Sequence, residues 1–140
     1  QEGQYIKTDE PTEAALKVLV EKLGVFDGRE KRPDNLSESQ LADHVSLWHA
    51  SQVKKEAVLE FSPGRKSMST LCSTPERHEN VLYVKGAPER IIERCTHIKL
   101  RDGRVEVLQD DARQGLLATV GDMAATPLRT LGLAIREKMD

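Results

Sequence analysis

Apolar residues along the chain fall first at helical spacing and then, beyond residue 57, at strand spacing. Leu16, Leu19, Val20 and Leu23 recur at i, i+3, i+4 and i+7, which lines one face of a helix over residues 12–23. Pro11 suits the first helical position, Asp9 or Glu10 can cap it, and Gly24 can end it. Residues 27–35 contain no apolar side chain and predict a solvated loop. Leu41, Val45 and Trp48 then mark a second, weaker helix.

Val58-Leu59-Glu60-Phe61 runs into a break at Pro63-Gly64, and residues 66–73 alternate in character, so the two stretches predict a hairpin. The continuous apolar run in residues 80–85 predicts a mostly buried strand. Gly86-Ala87-Pro88 then turns into a short helix with Ile91, Ile92 and Cys95 facing inward. Residues 97–108 predict a hairpin about Arg101-Asp102-Gly103-Arg104, since Asp-Gly favours tight primed turns. A helix over 110–125 carries Leu116, Leu117, Val120 and Met123, and residues 130–135 predict a buried strand. The expected class is α+β. Its sheet is antiparallel, because the connections are short, and helices cover it.

The 140 residues, 31% charged and 38% hydrophobic, suffice for one domain, residues 1–140, with a real core and no disulfides. A net charge of -2 gives no support for a nucleic-acid binder, whose affinity rests on clustered Lys and Arg facing phosphates, so no nucleic-acid partner is expected. No window approaches the roughly 20 apolar residues of a membrane helix, so direct membrane insertion is not expected. Cys72 and Cys95 form no CxxC unit and are read as two buried thiols in a reducing compartment. The first residues lack the basic and apolar regions of a secretory signal.

Catalytic signatures are missing. His44, His49, His78 and His97 have no metal-ligand spacing, no GxSxG accompanies the serines, and neither GxxxxGK[ST] nor GxGxxG occurs. The expectation is no catalytic residue and no metal ligand in this chain. Two segments stand out. In Phe61-Ser62-Pro63-Gly64-Arg65-Lys66-Ser67-Met68-Ser69, an aromatic at a strand end precedes a lysine across a turn. Stacking on a base is worth roughly 1–3 kcal/mol, and the lysine can meet phosphate. Spacing equally admits Phe61 in the core with Arg65-Lys66 a solvated turn. In Lys85-Gly86-Ala87-Pro88-Glu89, a lysine closes an apolar strand, Gly86 lets a ligand approach the backbone, and Pro88 sets the helix start. Together the segments suggest an adenine nucleotide site, which spacing alone does not establish.

Leu59-Glu60-Phe61-Ser62, Arg65-Lys66-Ser67-Met68-Ser69 and Lys85-Gly86-Ala87-Pro88-Glu89 resemble the nucleotide-binding domain of P-type cation pumps. Thr12-Glu13-Ala14-Ala15-Leu16 and Leu128-Arg129-Thr130-Leu131-Gly132-Leu133-Ala134 resemble the same domain, in order. The resemblance is strongest to calcium pumps of the sarco/endoplasmic-reticulum type. It implies that Phe61 stacks on the adenine of ATP, with Glu13 near the adenine amino group and Thr12 beside it. It also implies that Lys66 and Lys85 line the purine and phosphate path, that Arg129 reaches toward the phosphates and that Leu131 packs near the ring or ribose. Pro63 departs from the pattern: such pumps often carry an arginine there that contacts the phosphate chain.

Asp-Lys-Thr-Gly-Thr, which holds the family's phosphorylated aspartate, does not occur, nor does Thr-Gly-Glu. The resemblance therefore implies a domain that presents ATP to separate phosphorylation and actuator domains of a longer chain, with Mg2+ bound mainly through those partners. Hydrolysis by this chain alone is not expected. The early part of the domain is expected to precede Gln1, and the location implied is the cytosolic face of the endoplasmic reticulum. The alternatives are another cation pump, for sodium/potassium or protons, and a stand-alone adenine-nucleotide-binding module.

Overall fold

The structure is a computed structural model and describes residues 11–24, 36–74 and 79–139. The chain divides into a helical unit, residues 1–53, and a sheet unit, residues 54–140. The expected cap at Asp9 or Glu10 and the loop at 27–35 lie outside the described residues.

In the helical unit, α1 (Pro11–Leu23) packs on α2 (Glu38–Ser51). Pro11 opens α1 as its fixed φ predicts. Gly24 ends it at φ +71, its N–H donating to the Val20 carbonyl at 3.1 Å. A reciprocal cap starts α2: the Gln40 amide donates to Ser37 Oγ at 3.4 Å, and the Ser37 amide donates to Gln40 Oε1 at 3.0 Å. Glu21 ties the helices together. Its carboxylate accepts from the Val45 amide at 3.1 Å, the Ser46 amide at 2.8 Å and Ser46 Oγ at 2.6 Å. Lys17 pairs with Asp43 at 2.6 Å on the same seam.

The sheet unit runs β1 (Lys54–Ser62), β2 (Ser67–Thr74), β3 (Glu79–Gly86), α3 (Pro88–Arg94), β4 (His97–Lys99), β5 (Val105–Val107), α4 (Asp110–Ala124) and β6 (Gly132–Met139). The main sheet has the order β1-β2-β3-β6 with every pair antiparallel, so the α+β class read from the sequence holds. The expected hairpin forms from β4 and β5. Its turn differs from a two-residue one: Leu100 N–H donates to Arg104 O at 2.8 Å, and only Gly103, at φ +89, is left-handed. Asp102 instead accepts from the Arg104 backbone at 3.0 Å, a local bond that favours the wider loop.

Helix α3 lies close against one face of the sheet. A Cβ at Gly132 would stand 2.9 Å from Ile91 Cβ and 3.0 Å from Pro88 Cα, so β6 meets α3 only because residue 132 has no side chain. Ile91, Pro88, Leu108, Ser67 and Ser69 are buried in this region. Arg113 of α4 caps the C-terminal end of α3, donating to the Ile92 carbonyl and, at 3.0 Å, to the Cys95 carbonyl.

Several burial expectations change. The last strand is not buried: β6 is an edge strand with Leu133 and Ile135 exposed, because α3 covers only the face that Gly132 presents. β3 is half-buried rather than mostly buried, and Tyr83 is exposed for the same reason. Cys72 is buried, but Cys95, at the end of α3, is half-buried. Met123 is exposed, while Leu116, Leu117 and Val120 are half-buried. β1 also begins earlier than expected, at Lys54.

Candidate functional site

The β1–β2 turn carries the first candidate segment. Pairing slips between Leu59↔Ser69 and Ser62↔Ser67, so Glu60 and Phe61 together oppose the single residue Met68. Such a bulge re-aims side chains at a strand end. Phe61 is 59% exposed, which removes the reading that places it in the core. Lys66 ends the turn at φ +50, a left-handed conformation uncommon for a lysine. Three bonds hold it there. The Lys66 amide donates to Ser62 O at 2.7 Å, Arg65 Nη2 donates to Glu60 O at 2.6 Å, and the Ala87 amide donates to Lys66 O at 2.9 Å.

The last of these bonds joins the first candidate segment to the second. Gly86 sits directly opposite Ser67, and a Cβ there would lie 2.7 Å from Ser67 Cβ and against the Lys66 carbonyl. On that side the glycine lets the two segments of the protein close on one another.

Met68 pairs with Lys85, and Lys85 pairs with Leu133. A transverse row therefore crosses the sheet from Phe61 through Met68 and Lys85 to Leu133. These residues alternate with Ser67, Gly86 and Gly132, so the row lies on the face opposite α3. Strand spacing sets Phe61 and Lys85 about 10 Å apart at the backbone, within the span of one nucleotide. Lys85 is half-buried and Leu133 is 68% exposed. The face thus offers an aromatic ring, thioether and aliphatic surface, and an ammonium at one end of the sheet.

Leu131 is half-buried and directly precedes Gly132, the partner of Gly86; Arg129, two residues earlier, is exposed. Thr12 and Glu13 belong to the helical unit, in the first turn of α1, with Thr12 half-buried and Glu13 exposed. Met68 and Leu133 join the row without having been singled out as site residues. The strand alternation around each was legible, but their partnership with Lys85 is a matter of register. Ser67, in the middle of the first candidate segment, is 1% exposed.

Titration is perturbed away from this row. Burial raises the Glu21 carboxyl, but the Ser46 hydroxyl and the Ser46 and Val45 amides outweigh it and hold the group below its ordinary range. Burial pushes the Cys72 thiol up. Among the described residues no group of His, Cys, Asp and Glu could hold a metal ion, and no helix is long and apolar enough to cross a membrane.

The sheet unit is thus an antiparallel α+β unit with an aromatic ring and a lysine on its open face. The family model for the cytoplasmic domain N of P-type ATPases matches residues 1–139, and the chain belongs to that family. It is 40% identical over 147 residues to "Calcium-transporting ATPase 2, endoplasmic reticulum-type" of Arabidopsis thaliana, covering 99% of this chain and 14% of that protein. It is 38% identical over 135 residues to "Calcium-transporting ATPase 4, endoplasmic reticulum-type" of the same plant, covering 94% of this chain and 12% of that protein. The chain thus spans about one-seventh of the length of these relatives.

Proposed function

We propose that this chain is the ATP-holding domain of a calcium-transporting P-type pump, acting on the cytosolic face of a membrane, the endoplasmic reticulum by analogy with its relatives. The observation that carries the reading is the exposed ring of Phe61 at the head of the Met68–Lys85–Leu133 row. An exposed phenylalanine on an edge strand costs apolar hydration unless something covers it, and a purine ring is a flat cover of the right kind.

Phe61 stacks on the adenine, Met68 and Leu133 supply apolar surface around it, and Leu131 packs near the ribose. Lys66 and Lys85 provide the cationic path for the phosphates, with Arg129 farther along the chain toward them. Gly86 serves the site by letting the Lys66 turn close on the second segment. Pro63 offers no donor, so phosphate contacts rest on the lysines and Arg129. The domain itself holds and orients the nucleotide. In-line transfer of the γ-phosphate to an aspartate, and the magnesium that offsets its charge, belong to the phosphorylation and actuator domains of a longer chain.

The test is a titration of the 140-residue chain with ATP, ADP and AMP, followed by backbone amide resonances. Binding at roughly 0.1–10 mM, about 3–5.5 kcal/mol, is expected, with shifts at Phe61, Lys66, Met68, Lys85 and Leu133. Absence of any shift at several millimolar of each nucleotide refutes the reading.

A further inference from the structure

Arg94 occupies the last turn of α3, the helix that starts two residues after Gly86. Its guanidinium reaches back to the β1–β2 turn: Nη1 donates to Ser67 Oγ at 3.2 Å, and Nη2 donates to the Arg65 carbonyl at 3.2 Å. Ser67 and Arg65 flank Lys66 on either side. Both acceptors are neutral oxygens, so the contact holds geometry rather than balancing a charge.

We infer that Arg94 is a positioning residue for the nucleotide site, latching the turn that carries Phe61 and Lys66 onto the β3–α3 segment that carries Lys85. The inference rests on the nucleotide reading above and adds to it the group that keeps the two halves of the site together. Three contacts close the latch. Ala87 N–H donates to Lys66 O at 2.9 Å, Gly86 leaves no side chain between the segments, and Arg94 grips both neighbours of Lys66. The anchor of the latch is firm, because Ile91, one turn before Arg94, is buried against Gly132 of β6. Lys66 is left-handed at φ +50, so its conformation needs such outside support. The fork geometry matters as well. A guanidinium spans a hydroxyl and a carbonyl with two nitrogens, whereas a lysine ammonium at the end of a flexible stem serves as a point donor. Arg65 cannot substitute, because its own guanidinium is engaged on Glu60 O at 2.6 Å.

The test uses the full 140-residue chain and the variants Arg94→Gln, Arg94→Lys, Ser67→Ala and Arg94→Gln/Ser67→Ala. Arg90→Gln, on the same helix and paired only with Glu93 among the bonds described, is the control. Three quantities are read on each: ATP affinity, melting temperature, and hydrogen exchange of the Lys66 and Ala87 amides. Arg94→Gln is expected to weaken ATP roughly five-fold, the scale of losing one or two hydrogen bonds from a charged donor. The two amides exchange faster, while the melting temperature stays close to that of the control. Arg94→Lys restores part of the affinity, and the double variant loses less than the sum of the two single losses. Unchanged exchange at Lys66 and Ala87 in Arg94→Gln overturns the latch, as does an affinity equal to that of the control. If the parent chain binds no ATP yet these amides still lose protection, the nucleotide reading fails and with it the positioning role. Should Arg94→Gln not fold, Arg94→Lys and Ser67→Ala read the same three quantities.

Discussion

Lys85 of β3 stands directly opposite Met68 of β2, on the face of the sheet turned away from α3. The two residues come from neighbouring strands, and each adjoins one arm of the candidate site. Met68 lies across the bulge from Phe61, and Lys85 leads into Gly86 and the start of α3. One register therefore places the Phe61 ring and the Lys85 ammonium on a shared row.

Phe61→Ala separates a ligand platform from a core residue. Because the ring is 59% exposed, its loss leaves the melting temperature nearly unchanged. Affinity for ATP, ADP and AMP falls by a common amount, about 1–3 kcal/mol. A melt and a nucleotide titration on one preparation give both quantities. A fall of several degrees with unchanged affinity contradicts the platform.

Gly86→Ala tests the close approach of the two segments. The added methyl meets Ser67 Cβ at 2.7 Å and the Lys66 carbonyl, both on paired backbone that cannot retreat cheaply. The expected cost is about 1–3 kcal/mol of stability. Weaker ATP binding accompanies it as the turn is pushed off. Gly121→Ala, where nothing lies within 4 Å, is the matched control and should be neutral or slightly stabilising.

Glu21 makes the pairing of α1 and α2 sensitive to acid. Its carboxyl titrates below the unfolded value, so the stabilisation is fully present above the unfolded value, about 4.3. It is lost as the pH falls through the depressed folded value. The group is half-buried and solvent screens it in part, so the effect is no more than about 1 kcal/mol. Glu21→Gln should lower stability at neutral pH and flatten its decline between about pH 5 and pH 3. Thermal melts followed by circular dichroism across that range check both points.

The thiols should separate by reactivity. Cys72 is buried, and burial raises its thiol, leaving little thiolate at pH 8, whereas Cys95 is half-buried at the end of α3. Iodoacetamide should modify Cys95 first and Cys72 only when the sheet unit opens. Peptide mapping after timed alkylation gives the order, and equal rates contradict the burial of Cys72.

By itself the sequence determined the elements and their class. Leu16, Leu19, Val20 and Leu23 spelled out α1, Pro88 the start of α3, and Pro63-Gly64 the break between β1 and β2, because each signal is carried by residues a few positions apart. The motif runs around Phe61 and Lys85 also sufficed to point to the family, since they are contiguous. Tertiary structure decided what depends on distant partners. Whether Phe61 was core or surface could not be read from its neighbours, because exposure is set by what covers the other side of the sheet, and α3 covers only the face of Gly132. The edge position of β6 and the exposure of Leu133 follow from strand order, and strand order is a long-range choice that periodicity does not encode. The alignment of Met68, Lys85 and Leu133, and the reach of Arg94 to Ser67, likewise depend on register. A shift of one residue would turn Lys85 to the face of α3 and take its ammonium off the row that carries Phe61.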